Sequence, residues 1–242
     1  MTDRNYVNPL KMLSKMKEVL RFLQELSANN NKPWFEANRQ RYLEAKSRFE
    51  QFAVELVSAI RAFDNTIGPL SPKDCTFRIY KDLRFTKDKS PYKTQMGVFV
   101  VRGGKKSGFN GYYFQMGFPE SANIVAVGNY YCLPPVLKIL REDIMLGQGD
   151  FRHILSEVDP RFYLDTSNVL KRVPAGFPPD SPDSDYYKLK NFSLMWVPDN
   201  KFVTDPDLVE RLAAMFKTAK PFLDYTNRAI EYAREEKKEY FW

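Results

Sequence analysis

The amino-terminal part of the chain carries apolar residues at helical spacing. Between residues 12 and 26 they recur every three or four positions, which places them on one face of a helix. Three asparagines then interrupt the pattern, and Pro33 suits the first turn of a second helix. The apolar stripe of this second helix consists of Tyr42, Ala45, Phe49, Phe52, Leu56, Ile60 and Phe63. The pattern therefore predicts an antiparallel helical hairpin over about residues 11–63.

Alternation of apolar and polar residues predicts a sheet over about residues 75–131. From 76 to 85, one parity holds Phe77, Ile79, Leu83 and Phe85, and the other holds Thr76, Arg78, Tyr80, Asp82 and Arg84. Further strands are predicted at 96–101, where a mainly apolar run suits burial on both faces, at 111–116 and at 123–131. Because parallel crossovers need about a dozen residues or more, the short connections imply an antiparallel meander.

The carboxyl-terminal part, residues 134–242, combines helices, loop and one returning strand. Helices are predicted at 134–146, 150–158, 206–217 and 221–239, and a strand at 192–197. Residues 159–184 are rich in proline, aspartate and serine, which predicts irregular structure. The expected fold is one α+β domain over residues 1–242. Its antiparallel meander sheet of about four or five strands packs with the amino-terminal helical hairpin and the carboxyl-terminal helices.

The composition fits a packed protein that prefers anionic partners. Hydrophobic residues make up 43% of the chain and aromatic residues 15%, and the net charge is +7. The two cysteines and the lack of a secretory leader predict a reducing, cytoplasmic location. No apolar run reaches the roughly 18 residues of a membrane span, so no membrane partner is expected. The oligomeric state stays open.

Residues 78–93 concentrate the charge, with six basic and two acidic side chains. Arg78, Asp82 and Arg84 are expected on one sheet face, where arginines can bind a phosphate or carboxylate in a bidentate manner. The lysines that follow would form a lid over that anion. The full set of candidate ligand-binding residues is Arg78, Tyr80, Asp82, Arg84, Lys87, Lys89, Tyr92, Lys93, Tyr113 and Gln115.

Three of these candidates, Tyr92, Tyr113 and Gln115, would contact the body of a ligand through an aromatic or amide group. Tyr92 follows Pro91, and a rigid aromatic ring beside lysines can stack on a base or another ring. Tyr113 and Gln115 share a face of the predicted strand 111–116. A structural alternative stays open: the arginines on either side of Asp82 can form an ordinary ion-pair network, and the lysines can be merely solvated.

Four segments occur in a recognisable order: Asn29-Asn30-Asn31-Lys32-Pro33-Trp34-Phe35, Arg78-Ile79-Tyr80-Lys81-Asp82-Leu83-Arg84-Phe85, Lys87-Asp88-Lys89-Ser90-Pro91-Tyr92-Lys93 and Tyr187-Lys188-Leu189-Lys190. On these segments the chain resembles the uncharacterised family known as domain of unknown function 2461, over nearly its whole length. The resemblance implies one α+β domain. It implies no reaction, cofactor or catalytic residue, so function has to be inferred from the residues themselves.

Metal and catalytic chemistry have little support in the sequence. The single histidine, His153, lies in a predicted helix, and neither cysteine has a second ligand nearby, so no metal and no cofactor are expected. An aspartate held between arginines is a weak base, which argues against Asp82 as a general base. No catalytic residue can be named.

Three functions are consistent with these observations. The first is a binding or regulatory module for an anionic, phosphorylated ligand on the basic sheet face. The alternative is a hydrolase or transferase acting on a phosphorylated small molecule, with Tyr113, Gln115 or Asp82 beside the arginines. Nonspecific nucleic-acid binding ranks last, because the sequence contains no recognised nucleic-acid motif.

Overall fold

A computed structural model describes residues 9–84 and 87–236, with side chains of the first helix described from Met16 onward. Within these residues the helices are α1 Pro9–Ala28, α2 Lys32–Ala37, α3 Arg39–Arg61, α4 Pro72–Cys75, α5 Pro134–Leu146, α6 Asp150–Ser156, α7 Ser184–Tyr187, α8 Asn200–Val203, α9 Leu208–Thr218 and α10 Lys220–Glu236. The strands are β1 Gln95–Val100, β2 Gly111–Gly117, β3 Ile124–Gly128, β4 Tyr163–Leu164 and β5 Ser193–Trp196. The fold is α+β, as the sequence predicts.

The predicted helical hairpin is confirmed, with one difference in its second arm. That arm is divided at Asn38 into the short α2 and the long α3. Asn31 caps α2, because its side-chain oxygen accepts a hydrogen bond of 3.0 Å from the backbone N–H of Trp34. The apolar stripe of α3 is buried, as its spacing requires: Ala45, Phe49, Phe52, Leu56 and Ile60 are all in the core.

The five strands form one antiparallel sheet in the order β1-β2-β3-β5-β4. Side chains alternate between a face that packs on helices and a face that helices leave open. On the helix-packed face, Phe114 of β2 lies with its ring centroid 5.1 Å from that of Phe52 in α3. The neighbouring Tyr112 packs 5.2 Å from Phe216 of α9. Helices from both ends of the chain therefore cover the same face.

The other side of the sheet, here called the open face, carries half-exposed residues and the buried Gly97. Its members are Gln95, Gly97 and Phe99 of β1, Tyr113 and Gln115 of β2, Ile124 and Ala126 of β3, and Met195 of β5. The prediction that the strand at 96–101 is buried on both faces is therefore wrong. The run is mainly apolar because its buried residues are accompanied by an aromatic residue, Phe99, that is partly exposed on the other face.

The predicted strand at 76–85 is wrong over its described residues. Thr76 makes an isolated bridge to Val98, and Tyr80 makes another to Tyr92. Thr76 and Tyr80 are four positions apart, whereas their partners Val98 and Tyr92 are six positions apart. The pairing register therefore shifts by two residues between the two bridges. A continuous ladder cannot form across such a mismatch. The segment runs along the outer edge of β1 without joining the sheet as a strand.

Smaller differences concern the carboxyl-terminal half. The strand predicted at 123–131 is shorter, Ile124–Gly128, and the predicted irregular region 159–184 contains the two-residue strand β4. The helices predicted at 206–217 and 221–239 correspond to α9 and α10. The end of the second prediction, at 237–239, lies outside the described residues. Within the described part of the chain, no helix is both long and apolar enough to cross a lipid bilayer.

Candidate functional site

Arg84 and Asp82 of the basic stretch form an ion pair with each other. Arg84 donates to both carboxylate oxygens of Asp82, at 2.9 Å from Nε and 2.6 Å from Nη2. Both side chains are exposed, and this pairing holds the pKa of Asp82 below its usual range. The prediction that Arg78, Asp82 and Arg84 share one sheet face is wrong, because these residues are not in a sheet strand.

The lysines of the same stretch also differ in their surroundings. Lys81 pairs with Asp88 at 2.6 Å, and Lys89 donates to the backbone oxygen of Leu83 at 3.1 Å. Lys87 is exposed. Since exposed ion pairs contribute only about 0 to 1 kcal/mol, most of this stretch is accounted for as a solvated, locally paired loop. The pairing of Arg84 with Asp82 agrees with the structural alternative, although Arg78 makes no ion pair with Asp82.

The two tyrosines of the basic stretch are structural. Tyr92 is 3% exposed, and its ring is stacked on Phe35 of α2 with centroids 3.9 Å apart. Tyr80 packs against the same two rings, at 6.0 Å from Phe35 and 5.5 Å from Tyr92. The ring of Tyr92 thus has its partner inside the protein. Its expected role in stacking on a ligand does not fit this position.

A pocket of about 400 Å³ lies on the open face of the sheet. Its floor consists of small residues from three strands: Gly97, Ala126, Gly128 and Ser193. The register places them near one another, because Ala126 pairs with Tyr113 in β2 while Gly128 pairs with Ser193. Small side chains at these positions leave a depression in a surface that larger residues would fill. The small residues in the strand sequences therefore account for the pocket.

Aromatic rings form the walls of this pocket. They are Phe77, Phe99, Tyr113 and Tyr130. The rings of Phe77 and Phe99 each lie 6.3 Å from that of Tyr113 in edge-on orientation. Tyr130, in the loop after β3, is 89% exposed although it lines the pocket. The walls thus combine a packed aromatic cluster on one side with an exposed ring on the other.

Tyr113 is fixed by a hydrogen-bond chain on the open face. Its hydroxyl donates to Oε1 of Gln115 at 2.6 Å, and Nε2 of Gln115 donates to the backbone oxygen of Ala122 at 2.6 Å. Burial raises the pKa of Tyr113 to about 12, so the phenol stays protonated near neutral pH. Because its proton is already donated to Gln115, the hydroxyl oxygen is available to accept a hydrogen bond from a ligand.

Lys93 is the charged side chain of the pocket lining in the described part of the chain. Its Nζ lies 5.9 Å from the centroid of the Phe77 ring. Burial lowers the pKa of Lys93, and the nearby positive charge of Arg78 lowers it further. Among the described residues, neither Lys93 nor Arg78 has an ion-pair or side-chain hydrogen-bond partner. Lys93 therefore lines the pocket without a neutralising side chain among the described residues.

The position of Lys93 is set by the residue before it. The backbone N–H and C=O of Tyr92 are both bonded to the side-chain amide of Asn30, at 3.1 and 2.9 Å. The backbone N–H of Lys93 then donates to the oxygen of Ile79 at 2.8 Å. Asn30 therefore differs in role from its neighbour Asn31, which caps α2.

The structure divides the predicted site residues into two groups. Lys93, Tyr113 and Gln115 line the pocket, and Arg78 does not line it but its charge acts on Lys93. The remaining candidates, which are Tyr80, Asp82, Arg84, Lys87, Lys89 and Tyr92, do not line it. The lining residues that the sequence did not single out include Gln95, Phe99, Asn129 and Tyr130. Small residues at alternating positions of neighbouring strands are the sequence signal that indicates such a pocket.

These features define an α+β protein whose antiparallel sheet bears helices on one face and a lysine-containing, aromatic-walled pocket on the other. The chain belongs to the family described as conserved hypothetical protein (DUF2461), whose sequence model matches residues 18–225. This match confirms the resemblance identified from the sequence. Comparison with curated proteins and with solved structures gave no match. Among the described residues, no group of three or more His, Cys, Asp or Glu side chains is arranged to hold a metal ion.

Proposed function

We propose that this protein binds a small molecule that carries a phosphate or another anionic group on a planar ring. The observation that supports this proposal most directly is Lys93, an unpaired lysine in a pocket with aromatic walls. The anion would pair with Lys93, and the ring would lie against Phe77, Phe99 and Tyr113. The site thus uses one residue of the basic stretch together with the open face of the sheet.

The charge of the lining supports an anionic ligand. The other lining residues in the described part of the chain are neutral, so no carboxylate of the lining competes with a ligand for Lys93. A hydrogen bond to a charged group contributes about 1.5 to 3 kcal/mol. After burial, the positive charge of Arg78 is the second cause that lowers the pKa of Lys93 in the free protein. A bound anion would offset this repulsion between the two positive charges.

The size and chemistry of the pocket support a ring-containing ligand. A volume of about 400 Å³ falls within the range of roughly 300 to 1,000 Å³ that small-molecule sites occupy. Aromatic walls favour a planar apolar body, and the hydroxyl oxygen of Tyr113 can accept one hydrogen bond from it. An inorganic anion alone would leave these walls in contact with water.

Binding of phenyl phosphate tests this proposal, with inorganic phosphate and phenol as separate arms. A ligand at a hundred times its dissociation constant adds about 2.7 kcal/mol, which raises the melting temperature by roughly 5 to 11 °C for a protein of this size. Phenyl phosphate should bind more tightly than either fragment. Lys93→Met should weaken binding at least about tenfold, which corresponds to about 1.4 kcal/mol.

Lys105→Met is the matched control for this experiment. Lys105 also lies near Phe77, with Nζ 5.8 Å from the ring centroid, but its amine donates to the backbone oxygen of Lys73 and it does not line the pocket. Affinity should be unchanged in this variant. Equal affinity of the parent and the Lys93→Met variant for phenyl phosphate would overturn the proposal. The hydrolase or transferase and nucleic-acid hypotheses, and the cytoplasmic location, stay predictions.

A further inference from the structure

Lys93 combines three features that are typical of a nucleophilic lysine. Its amine has no ion-pair or hydrogen-bond partner among the described residues. It borders a cavity of about 400 Å³ whose walls are aromatic. A second cation, Arg78, is close enough to disfavour its protonation. Lysines become nucleophiles when they are desolvated in an apolar pocket or placed beside another positive group; Lys93 lines such a pocket, and the charge of Arg78 acts on it.

We propose that Lys93 captures carbonyl compounds in this pocket as an imine, so that the ligands of the site include ring aldehydes or ketones that carry an anionic group. This inference rests on the proposed function for the identity of the pocket and its ligand class. It adds a covalent step that anion binding does not require.

The reaction balances without an oxidant, a reductant or a metal. The neutral ε-amine of Lys93 attacks the carbonyl carbon, a C–N bond forms, the C=O π bond breaks, and one N–H proton passes to the oxygen to give a carbinolamine. The nitrogen lone pair then forms the C=N bond as the C–O bond breaks, and the second N–H proton passes to the leaving hydroxyl group, so one water molecule is released for each imine. The lowered pKa of Lys93 increases the fraction of amine that can begin this sequence near neutral pH.

The surroundings of Lys93 differ from those of the other lysines in the basic stretch. Lys81 is held by Asp88 at 2.6 Å, and Lys89 donates to the backbone of Leu83, so both amines have partners. Lys87 is exposed and carries no pocket around it. If the pocket and the neighbouring cation cause reactivity, Lys93 should differ from Lys87. Exposure alone would favour the opposite order.

The experiment uses 4-formylbenzoate, a planar aldehyde with a carboxylate, and traps the imine in the full-length protein with sodium cyanoborohydride. Peptide mapping by mass spectrometry then locates the reduced adduct. The dominant adduct should be on Lys93, with less on Lys87 and Lys105. The adduct at this position should be lost in Lys93→Arg and should form more slowly in Arg78→Gln, in which the amine is more fully protonated. Labelling spread over the lysines according to their exposure would overturn the inference.

The outcome is distinguishable from that of the proposed function. If phenyl phosphate binds through Lys93 and no adduct forms there, the imine inference fails and the proposed function stands. If Lys93 is labelled but phenyl phosphate neither binds nor protects it, the proposed function and the anionic ligand class fail, and only the imine at Lys93 stands. Thermal unfolding of Lys93→Arg shows whether the variant keeps its fold. Benzaldehyde serves as the uncharged probe, and its slower labelling would show that the anionic group contributes.

Discussion

The side-chain amide of Asn30 bonds to both backbone polar groups of Tyr92, 62 positions later in the chain. It accepts from the N–H at 3.1 Å and donates to the C=O at 2.9 Å, as a neighbouring strand would. The ring of Tyr92 is stacked on Phe35 at the same place. The turn between the first two helices therefore holds the residue before Lys93, and with it one side of the pocket.

Replacing Asn30 should affect both stability and binding. Asn30→Ala leaves two backbone groups of Tyr92 without partners, which should cost about 1 to 3 kcal/mol. The matched control is Asn31→Ala, which removes the cap of α2 and should cost about 1 kcal/mol without touching Tyr92. Urea denaturation measures the stability of each variant, and calorimetry measures its affinity for phenyl phosphate. Affinity should fall only in Asn30→Ala; equal losses in both variants would contradict a positioning role.

Gly97 lies directly beneath the hydroxyl of Tyr113. A Cβ at this glycine would lie 2.7 Å from the hydroxyl oxygen, so Gly97→Ala should displace it and break its bond to Gln115. The lost hydrogen bond costs about 1 kcal/mol, which offsets the gain of roughly 0.5 to 1 kcal/mol for alanine over glycine in a strand. Stability should therefore change little in urea denaturation, while the added methyl group reduces the pocket and the affinity for phenyl phosphate.

A double-mutant cycle separates the two effects of this substitution. In a Tyr113→Phe background there is no hydrogen bond to lose, so Gly97→Ala should be more favourable than in the parent. Gly68→Ala is the control for backbone entropy, because no atom lies within 4 Å of a Cβ at that position. This variant should gain about 0.4 to 1 kcal/mol and bind as the parent does. Identical effects of Gly97→Ala in both backgrounds would contradict the contact with Tyr113.

On the helix-packed face of the sheet, Tyr112 donates a hydrogen bond of 2.8 Å to Asp64, which is fully buried. The other carboxylate oxygen of Asp64 accepts from the N–H and hydroxyl of Thr66. Tyr112→Phe keeps the ring but leaves a buried carboxylate oxygen unpaired, which should cost about 2 kcal/mol. Urea denaturation measures this loss. Tyr113→Phe, whose hydroxyl is on the open face, is the control and should cost less.

The helices and the central strands follow from local sequence patterns. The three-four spacing of the predicted stripe specifies α3 up to Ile60, and the alternation around Tyr113 and Gln115 specifies β2 with the correct face. Both signals come from residues close together in the chain. Pairing of residues 76–84 with the edge of β1 depends on register instead. The register mismatch between the Thr76 and Tyr80 bridges arises from how two separate segments pair with each other. Alternation within one segment does not contain this information, so it predicts a strand where none forms.

The pocket is predictable only in part, for a related reason. Alternation assigns Gly97 and Phe99 to one face of β1, but it does not say which face helices will cover. Phe77 has the apolar parity of the buried Ile79, yet it is 44% exposed because its segment lies outside the ladder. Of the charged residues of the basic stretch that the structure describes, Lys93 alone lines the pocket. Lys81 pairs with Asp88 and Arg84 with Asp82, and which charges pair depends on three-dimensional distances.

The pKa of Lys93 determines how anion binding should depend on pH. Burial and the charge of Arg78 lower this pKa, so the protonated form that binds an anion is lost at a lower pH than for an ordinary lysine. Affinity should be constant well below the pKa of Lys93 and should fall as the pH rises through it. Tyr113, whose pKa is raised to about 12, stays protonated over that range. Binding of an anion should in turn be accompanied by proton uptake.

Calorimetric titration with phenyl phosphate from neutral to alkaline pH measures this dependence. The phosphate keeps a constant charge above about pH 7, because its second pKa is near 6. A Tyr130→Phe background removes the other phenol that lines the pocket beside Tyr113. In Arg78→Gln the fall in affinity should move to higher pH, and in Lys93→Arg it should disappear, because arginine stays protonated throughout. An unshifted profile in Arg78→Gln would show that the neighbouring cation does not control Lys93.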